Sequence, residues 1–187
     1  MSPKKDTQSG IIQDGIIALI LFSVYSYIGW NYLPIETTGL DSVFDRLIFT
    51  ARWQVLEVVL LFTMIMVVAN TRFRSVDKIG DPTKPMPPSH IITVHIRVLQ
   101  NTVEQLALRA PFELILSTYL EQTSMKLIPL LVTFFVVARI IFWVGYTRGP
   151  FQRALGFSMT FMPTMLMMFF NLYCFFTKGA TFGLSSA

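Results

Sequence analysis

The chain has 187 residues, of which 53% are hydrophobic and only 14% charged, and its mean hydropathy is +0.56. That balance excludes disorder and an ordinary water-soluble domain. The formal charge of +4 comes from basic residues spread over a very apolar chain, so no dense basic face for nucleic acid forms. One cysteine, Cys174, excludes an internal disulfide, a thiolate zinc site and a redox Cys pair; two histidines, His90 and His95, with no carboxylate at ligand spacing, give no metal centre.

Crossing a bilayer takes about 20 mostly apolar residues in a helix, and five runs meet that need. Gly15 to Ile35 carries no charge, and no small-residue cleavage site follows the polar residues before it, so it reads as a retained helix. Ile48 to Asn70 is apolar apart from Arg52 and Glu57. His90 to Tyr119 scores weakly on hydropathy because it holds Arg97, Asn101, Glu104, Arg109 and Glu113, yet it has the length of a span whose polar stripe faces protein. Leu127 to Tyr146 contains Arg139, and Ala154 to Thr177 is uncharged. Thr71 to Ser89 is a basic, proline-stiffened surface loop.

Five spans place the amino terminus, the loop at 71–89 and the loop at 147–153 on one side, with Lys4, Lys5, Arg72, Arg74, Lys78, Lys84, Arg148 and Arg153. Arg46, Lys126 and Lys178 fall on the other side. The bias predicts that the first side is cytosolic.

Ionisable groups within a span cost a few kcal/mol each unless paired or hydrated, which makes them the first candidates for function. Arg97, Asn101 and Glu104 follow the spacing i, i+4, i+7 and share a helical face. Arg109 and Glu113, at i, i+4, read as a structural ion pair. Asp14 and Glu57 read as partners of Arg52 or as headgroup-level charges. On the fourth run Arg139 and Tyr146 share a face, with Phe142 between them, and Arg148 and Arg153 follow in the loop. Four arginines, an asparagine, a glutamate and a tyrosine thus gather at one membrane surface. So much positive charge in a low dielectric calls for an anion. Guanidinium groups grip carboxylates in paired hydrogen bonds and favour a thiolate over a thiol. Glutathione offers carboxylates, an amine and a thiol; a phosphate headgroup also satisfies the arginines. Charges clustered at one surface argue against a channel.

Two motifs carry a resemblance. Arg97-Val-Leu-Gln-Asn101-Thr-Val-Glu104 is one, and Ala138-Arg139, Phe142, Gly145-Tyr146, Arg148 and Arg153 in the following span and loop make the other. In this order they resemble the MAPEG family, the membrane-associated proteins in eicosanoid and glutathione metabolism, over about Ile48 to Thr177. The added first helix is similar to the mattrin-like branch. The resemblance implies an all-α membrane protein: a cytosolic tail at 1–10, an extra transmembrane helix at 11–35, a four-helix MAPEG-like bundle at 48–177 and a tail at 178–187. It also implies a homotrimer in the endoplasmic reticulum or another endomembrane, amino terminus cytosolic, with glutathione as co-substrate held between neighbouring subunits.

By the same carry-over, Arg97, Asn101, Glu104, Arg139, Tyr146 and Arg148 bind glutathione and Arg153 stabilises its thiolate. The second substrate is then an apolar or lipid electrophile from the bilayer. The implied function is a glutathione-dependent transferase, peroxidase or isomerase; the alternative is a non-catalytic membrane regulator or lipid-binding scaffold.

Overall fold

In the computed structural model, the backbone is described for residues 3–74, 91–148 and 153–183, and the side chains for 9–74, 91–148 and 153–183. Six α-helices and one 3-10 turn account for most of them. They are α1 (Pro3–Tyr32), α2 (Val43–Trp53), α3 (Val55–Arg74), α4 (Ile91–Tyr119), the turn Gln122–Lys126, α5 (Leu127–Arg148) and α6 (Ala154–Lys178). The chain is an all-α integral membrane protein. Four stretches, Ser9–Tyr32, Val43–Arg74, Gln122–Arg148 and Ala154–Lys178, are long and apolar enough to cross a bilayer. Helix α4 is the fifth rod; its charges lower its hydropathy, but 29 residues rise about 44 Å, ample for a hydrocarbon core of about 30 Å.

Local chemistry sets the helix ends. Helix α1 begins well before its apolar run and stops at Tyr32, two residues short of Pro34, whose ring opposes continuation. The second rod starts earlier than the apolar run at Ile48: Ser42 caps α2 by accepting a hydrogen bond from the Asp45 amide at 3.1 Å. Gln54 joins α2 to α3, and its Nε2 reaches across to donate to the Ala110 carbonyl and to Glu113 Oε2, both at 3.1 Å. Of the expected basic loop, Lys78 and Lys84 lie outside the described residues, as does His90.

The bundle is apolar outside and partly polar inside. Val58, Val59, Phe62 and Ile65 on α3 and Phe169, Phe170, Tyr173 and Phe176 on α6 are exposed, a surface suited to lipid and not to water. Inside, Leu60, Met64, Val98, Phe135 and Phe142 form one apolar cluster, and Leu116, Met125, Ile128, Leu131, Val132 and Met167 form another. Between helices α3, α4 and α5 lies an ion network. Arg109, only 1% exposed, sits 3.0 Å from Glu57 and 2.7 Å from Glu113, with its guanidinium 4.7 Å from the centre of the Phe135 ring. The i, i+4 pair expected on α4 is therefore present. The expectation for Glu57 is corrected: its partner is Arg109, because α3 packs its buried face on α4, while Arg52 points outward.

Helix α1 lies against α5 and α6. Small residues make the approach possible: Ala18 is fully buried, a Cβ on Gly15 would touch Met162, and one on Gly29 would collide with the Leu130 side chain. Phe22 and Tyr25 pack on Phe134 with ring centres 5.2 and 5.3 Å apart, and the Tyr25 and Thr133 hydroxyls share a 2.6 Å hydrogen bond.

Candidate functional site

Alternating helix direction brings the first turns of α1, α4 and α6 and the last turns of α5 to one end of the bundle. There the four helices line a half-open cavity of about 910 Å³, within the range of small-molecule sites. Helix α4 contributes Arg97, Gln100, Asn101 and Glu104; α5 contributes Phe142 and Tyr146. Arg153, Ala154, Phe157 and Ser158 line it from the start of α6, and Gly10, Ile11 and Asp14 from α1.

Five of the seven residues singled out from the sequence thus face one space: Arg97, Asn101, Glu104, Tyr146 and Arg153. The other two do not. Arg139 is fully buried behind the wall, donating through Nη2 to Asn101 Oδ1 at 3.0 Å and to Thr102 Oγ1 at 2.8 Å. A further donor, Nη1, lies 3.4 Å from Thr160 Oγ1. No carboxylate pairs with it among the described residues, so hydroxyls, an amide oxygen and the Phe142 ring, 4.0 Å from the guanidinium carbon, carry its solvation. Arg139 is a strut that holds Asn101 and ties α5 to α4 and α6. Arg148 is exposed on the last turn of α5 and adds to the positive field there without lining the cavity.

The wall is ordered by aromatic contacts. Phe142 meets Tyr146 edge to face at 5.5 Å, and the Arg153 guanidinium lies 4.6 Å from the centre of the Tyr146 ring. Close approach of α6 to α5 sets this geometry. A Cβ on Gly156 would run into the backbone of Phe142, so only glycine permits the contact that places Arg153 beside Tyr146. On α4, Gln100 Nε2 donates to Glu104 Oε1 at 3.2 Å, while Arg97 makes no hydrogen bond or ion pair with described residues.

Two guanidinium groups, Arg97 and Arg153, therefore share the cavity with two carboxylates, Asp14 and Glu104. Such a wall suits a ligand carrying both signs of charge next to an apolar part that meets Ile11, Phe142 and Phe157. Asp14 and Gln100 were not among the expected site residues. Asp14 had one legible signal, an isolated carboxylate opening an uncharged apolar run, but nothing in its spacing connects it to α4. The helix outside the family segment contributes too: α1 supplies part of the wall through Gly10, Ile11 and Asp14.

An all-α membrane bundle is the fold that the motifs implied. The sequence model of the MAPEG family covers residues 50–173, and the chain belongs to that family. Its curated relatives include Transmembrane protein 79 of Mus musculus, 28% identical over 163 residues, which are 86% of this chain and 40% of that protein. Transmembrane protein 79 of Bos taurus is 29% identical over 161 residues, 85% of this chain and 39% of that protein. These relatives are the mattrin-like branch of the family. The chain spans about 40% of their length. No solved structure gives a significant match.

Proposed function

We propose that the cavity binds glutathione and that the protein is a glutathione-dependent transferase, peroxidase or isomerase acting on an apolar electrophile that arrives from the bilayer. The observation that carries this reading is the convergence of Arg97, Asn101 and Glu104 with Tyr146 and Arg153 on one cavity at one end of a membrane bundle. Arg97 and Asn101 are suited to a carboxylate, Asn101 being oriented by Arg139. Acidic groups in the wall are suited to the amine. Arg153, which lines the cavity with its guanidinium against the Tyr146 ring, is assigned to the sulfur. In conjugation the thiol gives up its proton to solvent, the thiolate forms a new C–S bond to the electrophilic carbon, and the leaving group departs with its electron pair. Lowering the thiol pKa by about two units takes about 2.7 kcal/mol, and a guanidinium beside the sulfur acts in that direction by favouring the thiolate.

This reading takes the working assembly, from the family resemblance, to be a homotrimer in an endomembrane; the distribution of Lys and Arg supports a cytosolic amino terminus. The test is conjugation of a chromogenic aryl halide by detergent-purified protein at millimolar glutathione, with Arg153→Ala beside it. Turnover that disappears in the variant while glutathione binding persists supports the catalytic assignment. Binding without turnover in the unaltered protein assigns the non-catalytic, ligand-binding reading instead.

A further inference from the structure

Resting on the glutathione reading above, we propose that Asp14 is a specificity residue of the cavity: its carboxylate receives the ligand's cationic amine, so the site selects ligands with a free amine beside their carboxylates. Asp14 belongs to α1, outside the segment 50–173 that defines the family, so the family motif assigns it nothing. It lines the same cavity as the α4 motif.

Three observations converge. Asp14 is half-buried beside Ile11 and the α6 wall and has no hydrogen bond or ion pair with any described residue. A carboxylate so placed is costly to leave without a charged or hydrogen-bonding partner. Glu104, the other acid of the cavity, already accepts from Gln100 of its own helix at 3.2 Å. One turn before Asp14, Gly10 lines the same cavity, and among the described residues a Cβ there would meet nothing within 4 Å, so this part of the cavity has room for a ligand. With Arg97 and Arg153 holding carboxylates and sulfur, two further acids in the wall disfavour a ligand that is purely anionic.

The experiment compares binding of glutathione and N-acetylglutathione by the full-length protein in detergent, unaltered and as Asp14→Asn and Glu104→Gln. Acetylation removes the ammonium and keeps the carboxylates and thiol. A hydrogen-bonded charge pair is worth about 1.5–3 kcal/mol, so the unaltered protein is expected to prefer glutathione by at least about tenfold. Asp14→Asn is expected to bring that preference to within about twofold, by weakening glutathione while leaving N-acetylglutathione unchanged; the unchanged affinity also shows that the variant is folded. A preference that survives in Asp14→Asn, or is lost only in Glu104→Gln, overturns the assignment while the glutathione reading stands. Absence of glutathione binding by the unaltered protein overturns the glutathione reading and the Asp14 assignment with it.

Discussion

Arg139 Nη2 donates to Asn101 Oδ1 across 3.0 Å, joining the interior of α5 to the cavity wall on α4. Arg139→Met removes these donors but keeps the length of the side chain. Thr102 and Thr160 still bond the carbonyls of Val98 and Phe157 in their own helices, so neither hydroxyl is orphaned. Replacing a buried charge by a well-packed apolar side chain is often close to neutral, and the melting temperature in detergent should move only slightly. Glutathione affinity should still fall about tenfold, because Asn101 loses a charge-assisted hydrogen bond worth about 1.5–3 kcal/mol.

The Glu57, Arg109 and Glu113 network should behave in the opposite way. Arg109→Met leaves two carboxylates buried between α3, α4 and α5 with no cation. Breaking such a pair from one side costs about 3–5 kcal/mol. The variant should aggregate on extraction or melt at a much lower temperature, and adding Glu57→Gln and Glu113→Gln should restore a large part of the loss. Thermal denaturation of the single and triple variants checks both outcomes.

Gly156→Ala puts a Cβ against the Phe142 backbone and forces α6 away from α5. Overpacking of this kind costs about 1–3 kcal/mol, and here it also moves Arg153 away from Tyr146. A lower melting temperature should accompany loss of conjugation activity. The same substitution at Gly15, where a Cβ would make an ordinary 3.4 Å contact with Met162, should leave both intact.

Gly10→Leu blocks the cavity without altering a charge. Apart from the helix's own nearby backbone, no described atom lies within 4 Å of a Cβ at this position, so the fold should tolerate the larger side chain while the ligand is excluded. Equilibrium binding and thermal melting of this variant should separate, with binding lost and the melting temperature held.

Much of this architecture is visible in the residues themselves, and the exceptions have physical causes. Four rods announce themselves by apolar length, and α4 by a polar stripe at helical spacing, which also presents Arg97, Asn101 and Glu104 together. Pairing of Arg109 with Glu113 is legible because both lie on one helix. The third member, Glu57, is 52 residues distant, and only packing of α3 on α4 brings it there. Arg139 shares a helical face with Tyr146, so spacing suggests a common ligand; burial instead turns its guanidinium toward Asn101, Thr102 and Thr160. Asp14 lies on α1, whose position depends on small residues meeting α5 and α6, a tertiary contact that no local period encodes.

The central claim is that the cavity shared by Arg97 and Arg153 is a glutathione site, and titration of the purified protein with glutathione up to millimolar concentration, followed by calorimetry and thermal shift, tests it most directly. Saturable heat should accompany a melting temperature that climbs with ligand, since a ligand at 100 times its Kd stabilises a fold by about 2.7 kcal/mol. Arg97→Ala, exposed and unpaired among the described residues, should abolish both signals without lowering the unliganded melting temperature. Neither heat nor shift in the unaltered, well-folded protein would contradict the account.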